Sequence, residues 1–304
     1  MKRLPMLLVA AVTGLLLPSV FAQAPLPVPR PPASPGTPVQ APAYTPAELE
    51  RIVSPIALYP DPLLAQILAA ATFASDIPDA ARWADDHHHL AGSQLTAAIV
   101  ADQVPWDAGV QALLPFPSVL EMMANDMPWT QELGEAFLSQ REDVMDAVQR
   151  LRQRAQGYGY LRSCAPVIVN TGPYIEILPA NPAFMVVPYY DPQIIFVSPV
   201  PPVVIPPPIY CGYGIRLGAW FAPWGWGTTR FVWASHGVII SNAPWGRTWG
   251  NRGSYIHPYS APRAPAQGIR PPEQHHAVPR TPRERQAERP KGSPQRGSQG
   301  GRGK

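Results

Sequence analysis

The sequence predicts a mainly α-helical fold: a compact bundle of short helices, then a small antiparallel β segment, with disordered segments at both ends. Three observations lead to this prediction. Helix start signals and apolar residues at helical spacing recur between residues 44 and 157. After Pro166 the pattern changes to short β-branched or aromatic runs. The 42 prolines and 23 glycines among 304 residues disfavour regular structure, so only part of the chain can form a packed core.

Residues 1–22 have the pattern of a secretory signal peptide. Lys2 and Arg3 precede an apolar run over residues 6–17, and a Val-Phe-Ala triplet ending at Ala22 suits cleavage. The run is shorter than the roughly 20 residues needed to cross a bilayer. We therefore expect an exported protein of the periplasm or the extracellular space, soluble after cleavage near Ala22. An uncleaved N-terminal anchor is the alternative.

The two ends of the mature chain are predicted to be disordered. Residues 23–43 alternate proline with small residues, which is typical of an extended proline-rich spacer. Residues 261–304 contain ten basic and three acidic side chains and almost no aliphatic ones, which is typical of a basic disordered tail. The tail carries +7 and the signal peptide +2 of a total of +3, which leaves −6 for residues 23–260. This split indicates an acidic folded body with a basic arm.

A helical domain is predicted over residues 44–162. Thr45 and Glu48 have capping-box spacing around a proline at the first helical position, and Asp61 before Pro62 repeats the device. Trp83, Trp106 and Trp129 are expected in the core. Later helix starts are predicted near Asp76, Ser93, Asp107 and Ser118. The longest helix is predicted to begin near Thr130, because apolar residues share one face at Leu133, Phe137, Val144, Val148 and Leu151.

A small β segment is predicted over residues 163–209 and a Gly/Trp-rich region over residues 210–260. The β segment has four short runs, at residues 167–169, 175–178, 184–187 and 194–197, separated in part by Asn-Pro and Asp-Pro turns. We expect it to pack on the helical domain because so small a sheet is marginal alone. The Gly/Trp-rich region contains six of the nine tryptophans, and residues 231–233 and 238–240 could form two strands.

Cys164 and Cys211 are the two cysteines of the chain, and both follow the predicted cleavage site. In an oxidising compartment an even pair is first interpreted as a disulfide. Free or externally paired thiols are the alternative.

Residues 54–68, SPIALYPDPLLAQIL, resemble a bacterial family known as domain of unknown function 3300. The resemblance extends over about half the chain, from Tyr44 to Pro192. It implies an exported, largely helical domain followed by a proline-rich or an aromatic and glycine-rich tail. It implies no activity, so it transfers no functional residue. Further matching segments are AARWAD, WDAGVQALLPFPSVLEMM, WTQELGEAFLSQREDVMDAVQRLRQRAQ and ILPANPAFMVVPYYDP.

Two sets of residues are candidates for chemistry. His87, His88 and His89 are consecutive, and neighbours on a regular helix point about 100° apart, so three cannot converge on one ion. We interpret them as a polar helix end, with Zn or Cu held by two of them as the alternative. Nothing marks a helical glutamate as lying in the apolar cleft that a glycosidase acid needs. These glutamates are Glu121, Glu132, Glu135 and Glu142.

We therefore assign no catalytic residue, no metal and no cofactor. The sequence favours a non-enzymatic, exported interaction or scaffold protein of the cell envelope. Its aromatic and basic C-terminal region is expected to contact envelope polyanions or partner proteins, since tryptophans form stacking surfaces and arginines bind phosphate-rich polymers. An envelope hydrolase that uses a helical glutamate is the alternative.

Overall fold

A computed structural model describes residues 40–199, 209–212, 214–259 and 262. The predicted signal peptide lies outside the described residues, as do the predicted spacer up to residue 39 and the predicted basic tail apart from residue 262. The described residues from Pro42 onward belong to one compact unit. None of the described helices is both long enough and apolar enough to cross a bilayer.

Short helices make up the first part of this unit, which confirms the mainly α-helical prediction. The capping box predicted at Thr45 is present: its hydroxyl accepts a hydrogen bond from the Glu48 amide, and the Glu48 carboxylate accepts one from the Thr45 amide. The helices are α1 (Pro46–Val53), α2 (Asp61–Ala71), α3 (Ile77–Asp86), α4 (Gly92–Ala101), α5 (Ala108–Gln111), α6 (Pro117–Asn125), α7 (Met127–Ser139) and α8 (Arg141–Gly157).

Helix α2 lies at the centre of the core. All of its residues except Pro62 are buried, as expected of a helix that is apolar on every face. It packs against α5 and α7 on the helical side and against β strands on the other. The helices that surround it therefore need to present only one apolar face each.

The single long helix predicted from Thr130 is wrong, because two helices occupy this stretch. The chain leaves helical geometry at Gln140 (φ −137°, ψ 49°), between α7 and α8. The Gln140 side chain there pairs with the backbone of Tyr44, accepting from its amide at 2.6 Å and donating to its carbonyl at 3.2 Å. The five apolar residues predicted to share one helix face are all buried. The prediction of their burial is therefore correct, and the prediction of one continuous helix is not.

The second part of the unit consists of very short antiparallel pairings. Strand β1 (Val167–Thr171) forms a hairpin with β2 (Ile175–Pro179). Strands β3 (Phe184–Met185) and β4 (Tyr189–Tyr190) pair with β6 (Ile215–Arg216) and β5 (Ile209–Tyr210), respectively. Strands β7 (Arg230–Val232), β8 (Gly237–Ile240) and β9 (Ala243–Pro244) form a three-stranded sheet, in agreement with the two strands predicted there.

The fourth predicted strand, residues 194–197, is wrong. Helix α9 (Pro192–Ile195) occupies its start, with Asp191 at the N-cap accepting a hydrogen bond from the Gln193 amide at 2.8 Å. Pro192 stands in the first helical turn, where its missing amide costs nothing. The Asp-Pro pair that was interpreted as a turn between strands is therefore a helix start.

The tryptophans of the Gly/Trp-rich region mostly belong to the core. Trp224, Trp226, Trp233 and Trp245 are buried, and three of their indole groups donate to partners on the helical part. Trp224 donates to the Gln111 side chain at 3.0 Å and Trp226 to the Ala112 carbonyl at 2.9 Å. The broad stacking surface expected from six tryptophans is therefore absent from the described residues. Of the three tryptophans expected in the helical core, Trp129 is buried, whereas Trp83 and Trp106 are half-buried.

A disulfide joins Cys164 to Cys211 in the structure, with their Cα atoms 6.8 Å apart. Cys164 forms a β-bridge with Val167 at the start of β1, and Cys211 directly follows β5. The bond therefore links two elements that are 47 residues apart in the chain.

Reducing this disulfide should destabilise the protein by about 2 kcal/mol, near the low end of the range usual for a native disulfide. Both cysteines are half-exposed and β5 has two residues, so the native packing they support is limited. Urea unfolding with and without dithiothreitol measures the change, and the double Cys→Ala chain is the matched control. That chain should show no response to dithiothreitol, and an equal response in both chains would contradict the prediction.

Two buried tyrosines make stability sensitive to alkaline pH. Tyr190 donates a hydrogen bond to the Ser54 carbonyl at 2.8 Å, and burial raises its pKa well above the ordinary value. Burial also raises the pKa of Tyr59 to about 12. Since these folded-state pKa values lie above the unfolded value, the stability is fully present below about pH 10 and is lost as the pH rises through the folded values. Urea midpoints should fall between pH 10 and 12, and Tyr190→Phe should weaken that fall.

Candidate functional site

The three consecutive histidines lie at the C-terminal end of α3. His87 stacks on Trp83 with ring centroids 3.9 Å apart, and its Nδ1 atom lies 2.8 Å from the Trp83 carbonyl. His88 and His89 are exposed. The part of the chain that the structure describes contains no group of three or more His, Cys, Asp or Glu side chains placed to hold a metal ion.

The four candidate glutamates lie on α6, α7 and α8, and Glu132 and Glu135 share α7. Glu132 forms an ion pair with Arg51 at 2.8 Å, and Glu135 accepts a hydrogen bond from the Tyr44 hydroxyl at 3.3 Å. Glu121 and Glu142 are exposed. The structure does not bring any two of the four together in a cleft, which is the arrangement that glycoside hydrolysis by paired carboxylates requires.

A cleft of about 730 Å³ lies beside α5 and was not anticipated. Asp107 and His257 meet there, with His257 Nε2 2.5 Å from Asp107 Oδ2. Each side chain is 12% exposed. Asp107 also caps α5, because its other oxygen accepts from the Gly109 amide at 2.8 Å. Sequence analysis recognised Asp107 as a helix cap but had no signal for a partner 150 residues away.

Aromatic rings surround His257. The rings of Phe73, Tyr255 and Tyr259 lie around it, with centroids 4.9–5.5 Å from its own. Both of its ring nitrogens are shielded from solvent. A general base must reach the proton it removes, and neither ring nitrogen of His257 is open to the cleft in this structure. The Asp107–His257 pair joins residues 255–259 to the helical part.

A second concavity, about 390 Å³, has the features of a binding site, and we call it the Trp220 groove. It lies between the start of α4 and the 3-10 helix Gly218–Trp224. Its lining comes from three separate parts of the chain, and two of them contribute both apolar and polar side chains. The walls are Leu90, Leu95, Pro115, Ile215 and Phe221, and the rim carries Ser93, Gln94 and Arg216.

Trp220 is the most exposed of the nine tryptophans, at 40%. Two glycines, Gly92 and Gly218, contact its ring, and both have φ +54°, a conformation that side chains other than glycine rarely adopt. A Cβ atom at Gly92 would lie 3.3 Å from the indole ring, and one at Gly218 would lie 3.2 Å from it. The backbone therefore fixes the ring closely while leaving much of it exposed to solvent.

Arg216 gives the groove a positive charge. Its guanidinium carbon lies 5.3 Å from the centroid of the Trp220 ring, and the side chain is exposed. Within the described ranges no carboxylate lies within ion-pair distance of Arg216. The groove lining contains no acidic residue, and the sequence has none between Asp191 and Glu273. Helix α4 begins beside the groove without a side-chain cap, which adds the positive end of its dipole.

The Trp220 groove combines an exposed aromatic ring that lies against two glycines, an arginine without an ion pair among the described residues, and hydrogen-bonding side chains. In the sequence Trp220 is one of six tryptophans in its region, and nothing in the local pattern distinguishes it or Arg216. The 81-residue interval without an acidic residue, which the sequence does contain, was the signal that could have pointed to it.

Comparison with known proteins gives one relative and one family. The uncharacterised protein YacH of Escherichia coli (strain K12) is 38% identical over 221 residues, which cover 60% of this chain and 35% of YacH. The chain thus spans about a third of the length of that relative. No solved structure matches the chain significantly.

The family model described as "Protein of unknown function (DUF3300)" matches residues 45–256. This range reaches beyond Pro192, where the resemblance seen in the sequence ended, and includes the whole of the Trp220 groove. Since the match covers more than half of the chain, the protein belongs to the DUF3300 family.

Proposed function

We propose that the mature chain is an exported, non-enzymatic interaction protein that binds anionic polymers of the cell envelope through its aromatic and basic C-terminal region. The observation that carries this proposal is the charge of that region. Residues 209–259 contribute four arginines and no carboxylate to the folded unit, and the basic tail follows directly. An uncompensated positive surface attracts phosphate- and carboxylate-rich polymers.

Export is supported by two independent features. The signal-peptide pattern of residues 1–22 predicts secretion, and the Cys164–Cys211 disulfide is typical of proteins that leave the reducing cytosol. The location narrows the available polyanions to those of the envelope, such as lipopolysaccharide and phosphate-bearing wall glycans.

The burial of most tryptophans changes how the C-terminal region would act. Trp224, Trp226 and Trp245 stabilise the fold, so they cannot stack on a ligand. Two of the four arginines of residues 209–259 are exposed, Arg216 and Arg230. The folded unit would thus supply a defined contact, and the tail would add charge.

The test is cosedimentation of the mature chain, residues 23–304, with purified cell-wall and outer-membrane fractions. We expect the chain to sediment with at least one fraction, and to be released as salt is raised, since salt screens charge–charge attraction. A chain that ends at residue 260 should bind more weakly. A mature chain that stays in the supernatant with both fractions at low salt would contradict the proposal.

A further inference from the structure

We propose that the Trp220 groove binds one sugar unit of an anionic glycan, with the sugar ring against Trp220 and its phosphate or carboxylate group at Arg216. The inference rests on the proposed function and assigns its specific contact to one place in the fold. It differs from attraction by the tail, which needs no defined ligand geometry.

The shape of the groove suits a small ring. Its volume of about 390 Å³ lies within the range usual for small-molecule sites. Apolar walls below a polar rim fit a sugar, which has apolar C–H faces and a hydroxyl-bearing edge. Ser93 and Gln94 are exposed on the rim, where they can exchange hydrogen bonds with hydroxyl groups.

The aromatic ring is held ready for stacking. The ring of Trp220 lies against Gly92 and Gly218, where an added Cβ atom would come within 3.3 Å and 3.2 Å of it, so the backbone supports the ring. A ring that is fixed before binding loses little conformational entropy when the ligand arrives. Such preorganisation distinguishes Trp220 from Tyr189 and Tyr210, which are 78% and 58% exposed on two-residue strands.

The charge of the groove selects an anionic ligand. The guanidinium of Arg216 lies over the Trp220 ring, 5.3 Å from its centroid, so one ligand could touch both side chains. A guanidinium donates two parallel hydrogen bonds to phosphate or carboxylate. A neutral glycan would leave the guanidinium of Arg216 without an anionic partner. A cationic ligand would be repelled by Arg216, since no carboxylate lines the groove to offset its charge.

The experiment titrates the isotope-labelled mature chain with N-acetylglucosamine 1-phosphate, oligogalacturonate, neutral N-acetylglucosamine and inorganic phosphate, and follows the tryptophan indole signals by NMR. Trp220→Phe identifies the Trp220 signal by its disappearance. We expect that signal to shift with both anionic sugars. Neutral sugar and phosphate alone should bind about tenfold more weakly, which corresponds to about 1.4 kcal/mol.

Two substitutions and two matched controls test the residues. Trp220→Ala and Arg216→Gln should each reduce the affinity for the anionic sugars about tenfold. Tyr189→Ala removes another exposed aromatic ring and Arg162→Gln another exposed arginine, which lies outside the C-terminal region, so both should bind as the unchanged chain does. Unchanged thermal midpoints in all four variants show that folding is preserved, and Trp220→Tyr replaces Trp220→Ala if the latter unfolds.

The assignment is overturned if neither anionic sugar shifts the Trp220 signal, or if neutral sugar or inorganic phosphate binds the groove as tightly as the anionic sugars do. Cosedimentation separates this result from the broader proposal. If the chain sediments with envelope fractions but the Trp220 signal does not shift with any sugar, the proposed function is supported and the groove is not its binding site.

Discussion

Replacing Asp61 with alanine should destabilise the protein by about 3–5 kcal/mol, because it leaves a buried cation without its partner. Asp61 Oδ1 accepts from Arg152 Nη1 at 2.6 Å, and Asp61 Oδ2 accepts from the Trp233 indole at 2.9 Å. The exposed fractions of the Arg152 and Asp61 side chains are 0% and 4%. The guanidinium also donates to three backbone carbonyls, those of Ala57, Tyr59 and Ile175.

Urea unfolding of four chains measures this effect. Asp61→Ala is compared with Arg152→Met, with the double variant, and with Arg51→Met as the control. Arg51 pairs with Glu132 at the surface, where both side chains are largely exposed, so its loss should cost at most about 1 kcal/mol. The double variant should be less destabilised than the sum of its parts, because it leaves no unpaired charge. Asp61→Ala within about 1 kcal/mol of the unchanged chain would contradict the argument.

The buried pair also explains what the segment SPIALYPDPLL does. Its backbone carbonyls at Ala57 and Tyr59 bind Arg152, and its Ser54 carbonyl and Leu58 amide bind the hydroxyl of Tyr190. The segment that carries the family resemblance therefore connects α1, α2, α8 and the β strands through its hydrogen bonds. Sequence analysis interpreted Asp61 as a helix cap, which is wrong: α2 has no side-chain cap, and Asp61 turns inward.

Structure that depends on residues close in sequence was predicted well, whereas contacts between residues distant in sequence were not. The capping box at Thr45 depends on residues three apart, so the sequence is sufficient to find it. The break at Gln140 depends on Tyr44, 96 residues away, and no glycine or proline marks it. The Asp107–His257 pair and the Asp61–Arg152 pair are invisible for the same reason. Single-sequence patterns describe which residues are apolar, but not which buried charges meet.

The composition of the C-terminal region did not indicate where a binding groove would lie. It predicted an aromatic and basic region, but not which of its side chains are exposed. Which tryptophan remains accessible depends on packing: Trp224, Trp226 and Trp233 donate to Gln111, Ala112 and Asp61, whereas two glycines hold Trp220 at the surface. The two glycines can be seen in the sequence, but their contact with the indole depends on the tertiary structure.

Helices α2 and α7 approach so closely at Gly134 that no larger side chain fits there. A Cβ atom added at Gly134 would lie 2.1 Å from the Ala71 carbonyl oxygen and 2.6 Å from its carbon. The obstacle is backbone near the C-terminal end of the central helix, so it cannot move aside as the end of a flexible side chain would. The two helices would have to separate, which would open gaps between Leu133, Phe137 and the core around α2.

Gly134→Ala should therefore destabilise the protein by more than the about 1–3 kcal/mol that is usual for overpacking. Gly157→Ala is the matched control, because Gly157 is also helical and no atom lies within 4 Å of its added Cβ. There the gain in helix propensity should make the change neutral or stabilising by up to about 1 kcal/mol. Urea unfolding of both variants decides the point. Equal stabilities would mean that α2 and α7 can separate at little cost, whereas opposite signs would show that the central helix is locked in place by the absence of one methyl group.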